Sequence, residues 1–136
     1  MKSALQITWL VVGRVWLLEA KGQITFPILK AYDAEVMPLY KNGTYGRYFI
    51  ADVSRMRAFP SIRECLQVPS LWHVHLHVFV LVGAQKMTLR FLFSALLGLA
   101  RISYINAATL AEAQAYLLSI DSSLPPLEEW NDVERV

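Results

Sequence analysis

Hydrophobic and polar positions along the chain switch between a two-residue period and a period of three to four, and the switches mark out elements. Leu5 to Val12 and Val15 to Ala20 read as two strands joined at Gly13-Arg14, a short hairpin in which glycine supplies backbone angles that other residues avoid. Thr25 is a helix N-cap, with Pro27 in the first turn where a missing N–H costs little. Leu29, Tyr32, Val36 and Leu39 then fall at helical spacing and share one face, and Pro38 predicts a kink or an end near Met37. After the turn residues Asn42, Gly43, Thr44 and Gly46, Arg47 to Val53 reads as a third strand.

The alternation continues toward the C-terminus. Ser61 to Gln67 is a short helix, His77 to Val82 a strand, Thr88 to Leu99 a helix and Ile102 to Ile105 a strand. Thr109-Leu110-Ala111-Glu112 is a capping box, in which hydroxyl and carboxylate each satisfy an exposed backbone N–H. A helix should therefore run from about Leu110 to Ile120, stopped by Pro125-Pro126. A hairpin, a helix and then three strand–helix pairs imply an α/β fold. The expected architecture is a single mixed, mostly parallel sheet of about five strands, opened by an antiparallel hairpin and covered by about four helices. The domain is expected over residues 1–120, with an acidic tail over 121–136. In that tail Leu127, Trp130 and Val133 repeat at helical spacing, so it either docks as a short helix or stays disordered.

At 136 residues the chain suits one core. Hydrophobic residues make up 55%, yet the most apolar stretch, Phe91 to Ala100, is bounded by Arg90 and Arg101. It falls short of the roughly 20 apolar residues that a bilayer crossing needs, so no membrane span is expected. Thr8 and Arg14 interrupt the apolar start, which argues against a signal peptide. The single cysteine, Cys65, cannot close an internal disulfide and fits a reducing, cytoplasmic compartment. Net charge is +2, but residues 1–111 hold twelve Lys and Arg against five acids, whereas residues 112–136 hold one Arg against six. The basic residues are neither dense nor interleaved with aromatics along one element, so nucleic acid is not an expected partner.

Several local stretches carry a family likeness. These are the opening hairpin, the Gly22-Gln23-Ile24-Thr25 lead into the first helix, the strand Tyr48-Phe49-Ile50-Ala51-Asp52-Val53-Ser54, and Ile105-Asn106 followed by Ala111-Glu112-Ala113-Gln114-Ala115-Tyr116-Leu117. Together they resemble the STAS-like fold of the SpoIIAA-like family, which includes bacterial anti-sigma-factor antagonists. The likeness covers about residues 4–120. It implies a non-enzymatic regulatory module that works by protein interaction, with a kinase or anti-sigma-like factor as partner. In that family a serine just beyond the strand with the internal aspartate is phosphorylated; counting on from Asp52 puts Ser61 there, without the neighbouring Asp and second Ser of the family's motif.

The residues themselves give Ser61 a physical interest. Ser61-Ile62-Arg63-Glu64 is a second capping box, so the hydroxyl should sit at a helix start, where free N–H groups and the helix dipole favour negative charge. With Arg55, Arg57 and Arg63 close in sequence, this loop is the candidate partner- or phosphate-binding surface, Asp52 belonging to the same group. His73, His75 and His77 would project to one face of a strand. Adjacent members lie about 6.6 Å apart and the outer pair about 13 Å, so the three cannot close on one metal ion, and no metal site is expected. Gly43, Gly46, Gly83 and Gly98 lack the spacing of a phosphate loop, Ser94 to Gly98 makes no nucleophile elbow, and Asp33 and Glu35 read as surface charges. No cofactor and no catalytic residue is expected. Trp9, Trp16, Phe26, Tyr32, Phe49, Phe59, Trp72, Phe91 and Phe93 supply more apolar bulk than a simple core needs. A pocket between sheet and helices for a small hydrophobic ligand, in a carrier or sensor, is thus an alternative function. The apolar run Phe91-Leu92-Phe93 with Leu96, Leu97 and Leu99 also allows a homodimer.

Overall fold

Strand β1 (Leu5–Val11) turns through Gly13, whose φ of +76° suits glycine, into the antiparallel β2 (Val15–Gln23), with Trp9 opposite Trp16 and Leu5 opposite Ala20. The computed structural model describes residues 4–43, 47–71, 78–99, 101–131 and 134–135. Helix α1 (Phe26–Lys41) starts where the sequence predicts, with the Thr25 hydroxyl accepting from the Ile28 N–H at 3.4 Å. It does not end at Met37. Pro38 lies on the exposed side of the last turn, and its carbonyl accepts from the Asn42 N–H at 3.0 Å, so the helix continues to Lys41. A proline costs its own N–H bond and crowds the preceding turn, but one turn from the end little helix is left to lose. The buried stripe is accordingly Leu29, Tyr32, Val36 and Tyr40, with Leu39 half-buried beside it.

The parallel part of the sheet follows: β3 (Tyr48–Ala58), β4 (Val78–Val82) and β5 (Tyr104–Ala107), in the order β5-β4-β3-β2-β1-β6. The chain is α/β with one mixed sheet, antiparallel only at the β1 edge, as the pattern predicts. The last strand, β6 (Glu134–Arg135), is a two-residue addition beside β1. Strand β3 is longer than its apolar run. Glu19 pairs with Asp52 but Lys21 pairs with Arg55, so β3 carries an extra residue there, a bulge that lets Met56 rejoin the core. Strand β5 sits two residues later than its hydrophobicity suggests, because its short, partly exposed segment imposes only a weak pattern.

Helices cover both faces. On the first face α1, α2 (Ile62–Cys65) and α3 (Met87–Leu99) close over Trp16, Ala20, Phe49, Ala51 and Leu81. Trp16 sits among Trp9, Tyr40 and Phe49, with ring centroids 5.4, 5.7 and 6.1 Å away, and the Phe49 and Phe79 rings stack at 5.2 Å. On the second face α4 (Leu110–Ile120) packs Ala113 and Leu117 over Leu17, Ile50, Val80 and Val82. The segment after α4 completes that face. Leu124 is buried, and a 3-10 helix, Leu127–Asn131, buries the Trp130 ring to 1% exposure, its indole N–H donating to the Pro125 carbonyl at 2.9 Å. No helix among the described residues is long and apolar enough to cross a membrane.

Candidate functional site

The second half of β3 and the loop after it are shaped by two local devices. The first fixes the bulge: the Asp52 carboxylate accepts from the Ser54 N–H at 3.0 Å and from the Ser54 hydroxyl at 2.6 Å. Gly83, just past β4, presses against this point. A Cβ on it would lie 2.5 Å from the Ser54 Cβ, and its φ is +76°, so this glycine serves a close approach of two backbones. The second device is the capping box predicted for Ser61. Its hydroxyl accepts from the Glu64 N–H at 3.2 Å, and the Glu64 carboxylate accepts from the Ser61 N–H at 3.3 Å. Behind it Cys65 is buried with its thiol toward the Pro60 carbonyl at 3.7 Å. Burial, then the nearby Glu64 charge, pushes that thiol up to about 12, so it stays protonated and unreactive.

Among the described residues no hydrogen bond joins Arg55, Arg57 or Arg63 to Ser61. Arg55 and Arg57 lie on β3 rather than in the loop, and the Arg57 guanidinium reaches over Gly22 on the neighbouring strand. Arg55, Arg57 and Arg63 are exposed, and none forms an ion pair with a described residue. Asp52 is committed to the bulge. Of the five residues singled out in this region, Ser61 is thus joined closely to Glu64, not to the cations.

Next to the Ser61 cap lies α3, which packs against α2, with the Phe59 and Phe93 rings 5.3 Å apart. Leu89, Phe93, Leu96 and Leu97 turn into the core. On the opposite side Met87, Phe91 and Leu99 are exposed by 85%, 73% and 60%. They recur at multiples of four residues, so they form one stripe along the helix. Lys86, Arg90 and Arg101 flank it, all exposed. The near-continuous apolarity of this helix therefore divides into a core side and a solvent side.

Between α1, α3 and the sheet is a cavity of about 90 Å³, lined by Leu18, Ala51, Phe49, Phe93 and Leu96 among other apolar residues, with Tyr32, Tyr40 and Ser70. Burial raises the pKa of both phenols, for Tyr32 with added repulsion from Tyr40 and Asp33, so both stay neutral. Ser70 lies in the 3-10 turn Pro69–Leu71, and its N–H donates to the Asp33 carboxylate of α1 at 2.7 Å. Asp33, which reads as a surface charge in the sequence, is thus the tie between that turn and α1. Ser70 is 3% exposed, and its hydroxyl has no hydrogen-bond partner among the described residues. Nothing in the sequence around Ser70 singles it out, because the cavity is assembled from segments far apart in the chain.

His73, His75 and His77 lie outside the described residues, as does Trp72. Among the described residues no three His, Cys, Asp or Glu side chains group as metal ligands would. The chain matches no protein-family model and none of the curated proteins.

Proposed function

We propose that this domain is a non-enzymatic, cytoplasmic regulatory module that binds another protein through α3 and the adjoining α2, with Ser61 as its switch. The observation that carries the reading is the exposed stripe Met87, Phe91 and Leu99. Large apolar side chains aligned on one helix and rimmed by charge are the usual composition of an interface core with its polar border. The rim is basic, from Lys86, Arg90 and Arg101, which favours a partner whose apolar groove is edged with carboxylates. The resemblance to anti-sigma-factor antagonists adds the expectation of an anti-sigma-like factor or kinase.

Ser61 suits a switch for a reason other than an arginine cluster. Its hydroxyl lies 3.3 Å from the Glu64 carboxylate. A phosphoryl group there brings between one and two negative charges against that carboxylate and competes with it for the same helix-end N–H groups. Modification would therefore open the capping box and loosen the single-turn α2 that borders α3.

The test places a photo-crosslinking side chain at position 91 and, as a control on the other face, at position 120. The reading requires a protein partner captured at 91 and not at 120, whose affinity, measured with the purified partner, falls at least tenfold with Phe91→Asp. It also requires Ser61→Asp to change that affinity with folding intact. Crosslinks at 91 solely to a second copy of this chain would replace the reading with self-association. An unchanged affinity for Ser61→Asp would remove the switch.

A further inference from the structure

Three cations meet at the carboxyl ends of β2 and β3. Lys21 on β2 pairs with Arg55 on β3, and paired residues project from the same side of a sheet on strands about 4.8 Å apart. Arg57 follows two residues later as the extra residue of a second irregularity, since Gly22 pairs with Met56 but Gln23 pairs with Ala58. Its guanidinium reaches back over Gly22, to 3.9 Å from where a Cβ on that glycine would stand. Gly22 has a φ of +70° and no side chain, so the guanidinium lies above bare backbone next to Lys21. Arg55 and Arg57 are exposed and Lys21 is partly so. Like charges set opposite one another in a ladder repel, so the arrangement is unfavourable until an anion answers it. Among the described residues neither nearby acid does so: Asp52 is taken up by Ser54, and Glu19, the residue paired with Asp52, makes no ion pair.

We infer that Lys21, Arg55 and Arg57 form a binding site for a soluble diphosphate, an anion of two linked phosphoryl groups. Guanidinium forks make paired hydrogen bonds to phosphate oxygens, and the lysine adds a compact point charge beside them. The backbone positions of the three cations are spread over about 4.8 Å across the ladder and about 6.6 Å along β3. That span is wider than one phosphoryl group, and three positive charges answer the charge of two. Bare backbone at Gly22 lets the anion approach the strand without meeting a side chain. The position suits a ligand as well, because open α/β sheets bind theirs outside the carboxyl ends of the strands. The irregular end of β3 thereby acquires a use, since an unbroken ladder would leave Arg57 in register and turned away from Gly22. This site is distinct from the α3 surface and from Ser61, and it stands or fails without either.

The test titrates the full chain with inorganic pyrophosphate at constant ionic strength and follows backbone amide and arginine side-chain NMR signals. Saturable shifts centred on Lys21, Gly22, Arg55 and Arg57 are expected, with an affinity about tenfold or more above that for orthophosphate. Arg55→Gln and Arg57→Gln should each weaken binding roughly fivefold or more. Both side chains are exposed, so the variants should fold like the parent. Arg63→Gln removes the same charge from α2 and should change the affinity by less than about twofold. The inference is overturned if pyrophosphate binding does not saturate, or if the shifts centre on Ser61 and α2. It is equally overturned if Arg63→Gln weakens binding as much as Arg55→Gln, which would reduce the effect to overall charge. Retention on phosphatidylserine vesicles with no binding of pyrophosphate would also overturn it, in favour of a lipid surface.

Discussion

The two faces of the sheet are closed by different means. The second face is locked by polar ties that join distant parts of the chain. Arg14 in the β1–β2 turn contacts Asp121 at 2.9 Å and Ser123 at 2.7 Å, and the Tyr48 hydroxyl donates to the same Asp121 carboxylate. Trp130 is then seated with its indole N–H satisfied. The first face is closed by aromatic and aliphatic bulk and contains a cavity; among the described residues the Ser70 hydroxyl and the Trp16 indole N–H on that face lack hydrogen-bond partners, as does the Thr8 hydroxyl on the second face. The lesson is that the face with the unfinished packing is also the face whose outer helix displays the Met87–Phe91–Leu99 stripe. The second face spends its interactions on holding the fold, and the first retains the surfaces on which binding could act.

The largest effect should come from breaking the locked face. Trp130→Ala removes a fully buried ring and frees the 3-10 helix around it, which should cost about 3–5 kcal/mol in chemical denaturation. A loss below about 1 kcal/mol would mean that the segment after α4 is a loose cover and that the contrast between faces is wrong. Next in size is the point where the strands meet. Gly83→Ala must adopt a left-handed backbone, at about 1–2 kcal/mol, and must also push against the Ser54 backbone, a crowding worth about 1–3 kcal/mol. The sum, about 2–5 kcal/mol, should appear as a lower denaturation midpoint with an unchanged slope.

What could be read beforehand was what is local. The two capping boxes, at Ser61–Glu64 and Thr109–Glu112, need only residues three apart, although the Glu112 carboxylate takes the Ala108 N–H instead of that of Thr109. The hairpin and α4 announce themselves by periodicity. The far half of β3 does not, because Ser54-Arg55-Met56-Arg57 reads as polar until a bulge turns Met56 inward. Pro38 is a strong breaker in general and a weak one when the helix is about to end. At the candidate site the Ser61 cap was legible, because it needs only residues three apart, whereas how exposed arginine side chains are placed around it is not something a spacing along the chain can fix. A pocket between sheet and helices was expected from the surplus of aromatic bulk, but its full lining and the Arg14–Asp121 contact were not legible, because each depends on pairs of residues tens to more than a hundred positions apart.

A third prediction sharpens the comparison by making one chemical change on both faces. Ala113 on α4 is fully buried in the second core, and Ala51 on β3 lines the cavity of the first. Ala113→Leu should overpack and cost about 1–3 kcal/mol. Ala51→Leu should be neutral or stabilising by up to about 2 kcal/mol, the usual range for filling a cavity. Leucine is nearly as good a helix former as alanine, so propensity does not explain a cost at Ala113. Equal losses at both positions, measured by thermal and urea unfolding, would show that the first face is as tightly filled as the second.

The smallest effect concerns the polar lock itself and its dependence on pH. Hydrogen bonds from Ser123 and Tyr48, with the Arg14 charge adding to them, hold the Asp121 carboxyl at about 2, below its ordinary 3.8. A carboxyl whose folded-state pKa is depressed binds its proton more readily in the unfolded chain. The stability it contributes is therefore fully present above about pH 4 and is lost as pH falls toward 2. The group is partly exposed, with a side chain 20% accessible, so solvent screening should keep the gain below what the Trp130 and Gly83 substitutions cost. Asp121→Asn should lower the melting temperature slightly at neutral pH. The gap between variant and parent should stay constant down to about pH 4 and close by about pH 2. A gap that persists unchanged in acid would assign the loss to disturbed packing around Ser123 and Tyr48, and the second face would then be held by shape alone.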